Sequence, residues 1–286
     1  MGTIRLRPLA YGEMAGRKPD FLERAFAADF PSVVKGFDKT AMLEMAFRGG
    51  YPEALDMNQK AKRLWFKSYL DSLLLHDIRK LMDVRAYATL RKMMEAMLAR
   101  SSKFFSGNEI MSALGIGHDT FTRFLSILKT LYLIDEVEPW ASSDYGATGK
   151  RSKYFVADTG MMAATLDWKI DEVSLNSDRS GKIIESWVYN QIAPLADINP
   201  DFSIRQFRDS RMREIDFMVE SGDAKTLGIE VKAGSSVGKS DFRHLAWFRD
   251  NIARDNNFLG IVLYTGEHTL PFGKNLYAVP IGTICV

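Results

Sequence analysis

The stretch REIDFMVESGDAKTLGIEVKAG, residues 213–234, decides the fold. It reads as two strands, Arg213 to Val219 and Leu227 to Lys232. Strand side chains alternate between faces. Ile215, Phe217 and Val219 are therefore expected on one face, with Asp216 on the other. On the second strand Ile229 and Val231 share one face, with Glu230 and Lys232 opposite. Two neighbouring strands of this kind put Asp216, Glu230 and Lys232 in one polar cluster at a sheet end. Upstream, Ser180 to Ile192 has helical spacing of its apolar residues. Glu185 sits at the edge of that apolar face and is expected to reach the same cluster.

Working outward, further strands are predicted over Ser203 to Phe207, Leu259 to Thr265 and Leu276 to Pro280, with a helix over about Lys239 to Asn251. Strands and helices mixed in this way imply a C-terminal α/β core, with a mixed central sheet flanked by helices, over residues 170–286. Phe21 to about Arg100 is helical in pattern, with helices over Lys62 to Asp77 and Met82 to Arg100. Residues 1–20 read as a short strand and a loop.

Between these parts, Ser106-Gly-Asn opens a short helix over Glu109 to Leu114, and Gly115-Ile-Gly is a tight turn. A second helix runs from Thr120 to about Leu131. A strand follows over Leu133 to Trp140, then a loop over Ala141 to Ser152 and a strand over Tyr154 to Ala157. Helix, turn, helix and two-stranded ribbon is the order of a winged helix, here about residues 104–160. In such a unit the second helix enters the major groove by its N-terminal residues, here Gly117, His118, Asp119, Thr120 and Arg123; His118, Thr120 and Arg123 are the expected contacts, while Asp119 would repel phosphate or cap the helix. Lys150, Arg151 and Lys153, around the wing loop, are expected to meet phosphates. Winged helices also serve as protein–protein modules, so the order of elements alone leaves both uses open.

The chemistry that needs Asp216, Glu230, Lys232 and Glu185 together is metal-assisted phosphodiester hydrolysis. Mg²⁺ takes one or two carboxylates and keeps several waters. Asp216 and Glu230 are the expected ligands, Lys232 the group that orients water or neutralises charge on the phosphate, and Glu185 an assisting carboxylate. The plain alternative is a solvated strand face carrying an ordinary ion pair, worth about 0–1 kcal/mol.

These residues resemble a known pattern. Glu185, then Glu214-Ile-Asp216-Phe, then Ile229-Glu230-Val-Lys232 is similar to the PD-(D/E)xK, restriction-endonuclease-like superfamily. The wider chain resembles the C-terminal portion of bacterial and archaeal AAA-type ATPases carrying the domain of unknown function 4143. The phrases that carry this are Arg5-Leu-Arg-Pro-Leu, Gly49-Gly-Tyr-Pro-Glu53, Tyr69-Leu-Asp-Ser-Leu-Leu-Leu-His-Asp77, Lys153-Tyr-Phe-Val-Ala-Asp-Thr-Gly160 and Gly181-Lys-Ile-Ile-Glu185. The resemblance implies a nuclease-like α/β domain behind an α-helical and winged-helix part. It also implies that Met1 to Leu9 is the last strand of an ATPase module whose phosphate-binding loop this sequence lacks. Gly146-Ala-Thr-Gly149-Lys150-Arg has the wrong spacing and context for that loop, so no ATP site is expected.

Composition narrows the rest. The chain has 286 residues, 46% hydrophobic and 26% charged, with 38 Lys and Arg against 36 Asp and Glu. A net charge of +2 announces no bulk polyanion binder, so any basic surface is local. The single cysteine, Cys285, excludes an internal disulfide and fits a reducing, cytoplasmic setting. No apolar run reaches a membrane span, and no signal peptide opens the chain. The four histidines, His76, His118, His244 and His268, lack metal-ligand spacing.

Three functions follow as expectations. The first is a Mg²⁺-dependent DNA endonuclease. The second is a non-catalytic DNA-binding or regulatory module on a nuclease-like scaffold. The third is an interaction protein, such as one half of a toxin–antitoxin or defence pair, or a homo-oligomer.

Overall fold

The computed structural model describes residues 5–78, 84–142, 146–147, 151–253 and 257–286. The N-terminal half carries α1 (Tyr11–Met14), α2 (Phe21–Phe26), α3 (Lys39–Arg48), α4 (Gln59–Ile78), α5 (Val84–Leu98), α6 (Gly107–Leu114) and α7 (His118–Thr130). Strands β1 (Ile134–Val137), β2 (Ala141–Ser142), β3 (Gly146–Ala147) and β4 (Lys153–Val156) follow. Then come α8 (Thr159–Thr165), α9 (Ile170–Leu175), α10 (Ser177–Ile198), β5 (Ser203–Arg208), β6 (Glu214–Glu220) and β7 (Thr226–Lys232). The chain closes with α11 (Arg243–Asn251), β8 (Phe258–Tyr264), β9 (Leu270–Gly273) and β10 (Leu276–Pro280).

Local chemistry sets these boundaries. Ser106 caps α6 in a box with Glu109, and Gly115 ends it in the left-handed conformation (φ 63°). Asp158 caps α8 by accepting from the Met161 N–H, and Asn176 caps α10 by accepting from the Arg179 N–H.

The C-terminal unit is α/β. A mixed six-stranded sheet has the order β5-β6-β7-β8-β10-β9. The β7–β8 and β8–β10 pairs are parallel, and the other pairs are antiparallel. One face packs against α10, where Ile184, Trp187 and Val188 share a core with Phe217, Ile229 and Val279. The other packs against α11, where Leu245 and Phe248 meet Met218, Phe258 and Ala278.

Two expectations change here. Ile215 does not share a face with Phe217; it belongs to the core on the α11 side. The reason is a register shift in the β5–β6 pair. Arg205 faces Met218 and Phe207 faces Ile215, so three steps on β6 match two on β5. Such a bulge breaks the alternation and re-aims the side chains at the site, here around Asp216. The expected division between a helical part and an α/β core over residues 170–286 is also crossed by the packing. Phe21, Leu22, Met42 and Phe47 from α2 and α3 are buried in the same core as α10 and the sheet. Helices α4 to α7, with part of α8, have their own core, in which Phe66, Met93, Phe124 and Met161 take part.

The N-terminal strand does not form among the described residues. Met1 to Ile4 lie outside them, and Arg5 to Leu9 run without strand structure. Arg5 and Arg7 instead pair with Asp135 on β1, and Arg7 also with Asp197 on α10. Two phrases singled out in the sequence meet in space. The Gly50 N–H donates to the Asp158 carboxylate at 2.7 Å. A Cβ on Gly160 would stand 2.9 Å from the Gly49 Cα, so this close approach requires glycine. No helix of the described residues is long and apolar enough to cross a membrane.

Candidate functional site

The site forms where the β1–β4 hairpin lies against α10 and the first strands of the sheet. The hairpin pairs Ile134 with Val156 and Val137 with Lys153. Its first strand runs on to the sheet edge, where the Trp140 N–H donates to the Gln206 carbonyl at 2.6 Å and the Gln206 N–H to the Glu138 carbonyl at 3.0 Å. Its second strand is held to α10. The Asn190 amide donates to the Val156 carbonyl, and the Phe155 ring stacks on Tyr189 at 4.5 Å.

Alternation along β4 then fixes Lys153. Phe155 points into the core beneath α10, and Lys153, two residues before it, shares that face. The Lys153 side chain is 1% exposed. Its ammonium lies 2.9 Å from Glu185 Oε1, 2.7 Å from Glu214 Oε1 and 3.0 Å from Asp216 Oδ1. This corrects the expectation that Lys153 meets phosphate from the wing. The strand starts one residue earlier than predicted, and the ammonium is turned inward to three carboxylates.

The other predicted groups complete the cluster. Glu185 and Asp216 are buried, at 6% and 7% exposure, and Lys103 approaches Glu185 Oε2 at 3.7 Å. Beyond the Phe217–Ile229 pair the β6–β7 ladder passes to a side chain, because Asp216 Oδ2 accepts the Val231 N–H at 2.9 Å. Glu230 and Lys232 are half-buried and pair with each other at 2.8 Å.

Electrostatics follow from three carboxylates sharing one ammonium. Burial alone would lower the Lys153 pKa, but Glu185, Asp216 and Glu214 outweigh it and hold Lys153 firmly charged. Burial would raise Asp216, yet Lys153 and the Val231 N–H keep it below its ordinary value. Glu185 is pushed up to about 7 by burial and by Asp216, against Lys153 and Lys103. Glu230 is pushed up to about 8 by burial and by Asp216, against Lys232.

A divalent metal does not fit this arrangement. Among the described residues no group of three or more His, Cys, Asp or Glu is placed to hold a metal ion. The physical reason is visible in the contacts. One oxygen each of Glu185, Glu214 and Asp216 faces the Lys153 ammonium, and the second Asp216 oxygen is taken by a backbone N–H.

Of the predicted nucleic-acid contacts, only Lys153 is seen in this cluster among the described residues. His118 and Arg123 are exposed on α7, while Thr120 is half-buried at its edge. Arg151 is exposed, and its carbonyl accepts from the Gln206 amide. Lys150 lies outside the described residues. Glu214 is a cluster residue that the strand pattern does not single out, and Lys153 faces inward rather than toward a phosphate. The signal available for Lys153 was its i, i+2 spacing to Phe155.

Residues 180–284 match a family described as Domain of unknown function (DUF4143), and residues 39–172 match one described as Domain of unknown function (DUF8612). An uncharacterized protein of Mycobacterium bovis and an uncharacterized protein of Mycobacterium tuberculosis are each 28% identical over 256 residues. The alignment covers 88% of this chain and 55% of each relative, so the chain spans about half the length of the curated relatives it matches. No solved structure matches the chain. Its helical part is thus similar to the family described as DUF8612, and its α/β part to the family described as DUF4143.

Proposed function

We propose that this chain is a DNA-binding module. The α6–α7 pair and the β1–β4 hairpin act as a winged helix, and the α/β unit is a PD-(D/E)xK-like scaffold rather than a working nuclease. The observation that carries the scaffold reading is the Lys153 ammonium, seated within 3.0 Å of Glu185, Glu214 and Asp216. DNA contact is supported by the exposed face of α7, which presents His118, Thr122, Arg123 and Ser126, with Asp119 among them, opposite the buried Phe124 and Leu128. The resemblance to the C-terminal part of AAA-type ATPases agrees with a chain that spans about half of its relatives.

Fluorescence anisotropy with a labelled DNA duplex, between about 50 and 200 mM salt, tests this reading. Affinity should fall with salt. Arg123→Ala and Arg151→Ala should each weaken binding and lower the log–log slope by about 1. Duplex incubated with Mg²⁺ should stay intact. Affinity that ignores both salt and these substitutions would remove DNA as the partner.

A second reading, Mg²⁺-dependent phosphodiester cleavage, is favoured by one observation. Asp216 and the Glu230–Lys232 pair stand on adjacent strands at the end where Glu185 also arrives. That activity requires Lys153 to give up its place.

A further inference from the structure

We propose that Lys153 is the resident cation of the acidic cluster, standing where a nuclease-like donor set would hold a divalent metal, so that lysine and metal exclude one another. The inference rests on the nuclease-like reading of Glu185, Asp216, Glu230 and Lys232 given above.

Three features carry it. The first is position. The ammonium faces carboxylates from a helix, Glu185, and from a strand, Glu214 and Asp216, which is a seat for a cation and not a surface ion pair. Its contacts of 2.7–3.0 Å are those of N–H···O bonds. Mg²⁺ needs oxygens at about 2.0–2.1 Å and cannot share the same centre. The second is charge. Three ammonium groups, Lys153, Lys103 and Lys232, already face four carboxylates, Glu185, Glu214, Asp216 and Glu230. A dication beside a retained Lys153 would overshoot neutrality in a buried setting. The third is rigidity. Lys153 is carried by β4, which is fixed through the Phe155–Tyr189 stack, the Ser101 hydroxyl that accepts the Val156 N–H, and the β1 pairing. The buried ammonium therefore stays in its seat while the hairpin is docked.

The hairpin and the acidic cluster are in this way one energetic unit. A metal entering the cluster must expel the lysine. Any partner that draws the hairpin away would raise the affinity for metal by the same factor that metal raises the affinity for that partner.

Mn²⁺ titration of the full chain, followed by electron paramagnetic resonance, tests this with Mn²⁺ as the only probe. Wild type and Lys153→Arg should show no Mn²⁺ site that depends on Asp216. Lys153→Met should gain one Mn²⁺ site at least tenfold tighter than any in wild type, and this site should vanish when Asp216→Asn is added. Lys153→Gln, which keeps polarity without charge, replaces the Met variant if circular dichroism shows that the latter is unfolded. Wild type that binds one Mn²⁺ ion, with affinity falling tenfold or more in Asp216→Asn, overturns the proposal. So does a folded Lys153→Met or Lys153→Gln protein that binds Mn²⁺ no better than wild type. DNA anisotropy on the same samples fails or succeeds independently, so loss of the DNA reading is told apart from loss of this one.

Discussion

Lys153 and Asp216, 63 residues apart in sequence, are joined by a buried 3.0 Å hydrogen bond that ties the β1–β4 hairpin to the central sheet. The bond closes a circuit between the helical and α/β parts of the chain. Asp216 spends its other oxygen on the Val231 N–H, so one carboxylate links three strands.

Removing the ammonium should be costly. Lys153→Met leaves Glu185, Glu214 and Asp216 facing one another without their shared cation. Breaking a buried charge set of this kind costs about 3–5 kcal/mol. Urea unfolding should show that loss, and adding Asp216→Asn should recover part of it. Equal stability of wild type and Lys153→Met would show that the cluster contributes nothing to folding.

Stability should fall between about pH 4.5 and 8. Glu185 and Glu230 have folded values of about 7 and 8, against an ordinary 4.5. The folded protein therefore holds these two protons more tightly than the unfolded chain, and their contribution is complete below the unfolded value. It is lost as pH rises through 7 and 8. Thermal melts across this range should show the decline, and Glu185→Gln with Glu230→Gln should flatten it. A slope unchanged by both substitutions would locate the effect elsewhere.

Asp135 should anchor the N-terminal segment. It pairs with Arg5 at 2.7 Å and with Arg7, and accepts from the Tyr189 hydroxyl at 3.1 Å. Asp135→Asn weakens two charge-assisted bonds, at about 1.5–3 kcal/mol each. Limited proteolysis with an arginine-specific protease should then cut after Arg5 faster than in wild type.

Asp158→Ala should destabilise the junction of α3 and α8. The carboxylate receives the Gly50 and Met161 N–H groups at 2.7 and 2.6 Å. Loss of the cap and of the partner to a buried N–H costs about 2–3 kcal/mol together. Asp158→Asn, which still offers one acceptor, should cost less in the same unfolding experiment.

What the sequence determined by itself is local and periodic. The alternation in residues 213–234 marked two strands and put Asp216, Glu230 and Lys232 among the polar positions. The glycine turn at Gly115 and the capping serine at Ser106 marked the helix pair, because such signals act within a few residues. Tertiary structure alone decided the rest. The bulge opposite Arg205 and Phe207 re-aimed β6, since register is set by the partner strand. Helices α2 and α3 joined the core of the sheet because their apolar faces found α10 there. Lys153 read as a wing cation, since a lysine beside a Gly/Ser loop looks solvated. Only docking of β4 against α10 made its burial possible, because three carboxylates from distant elements compensate the charge there.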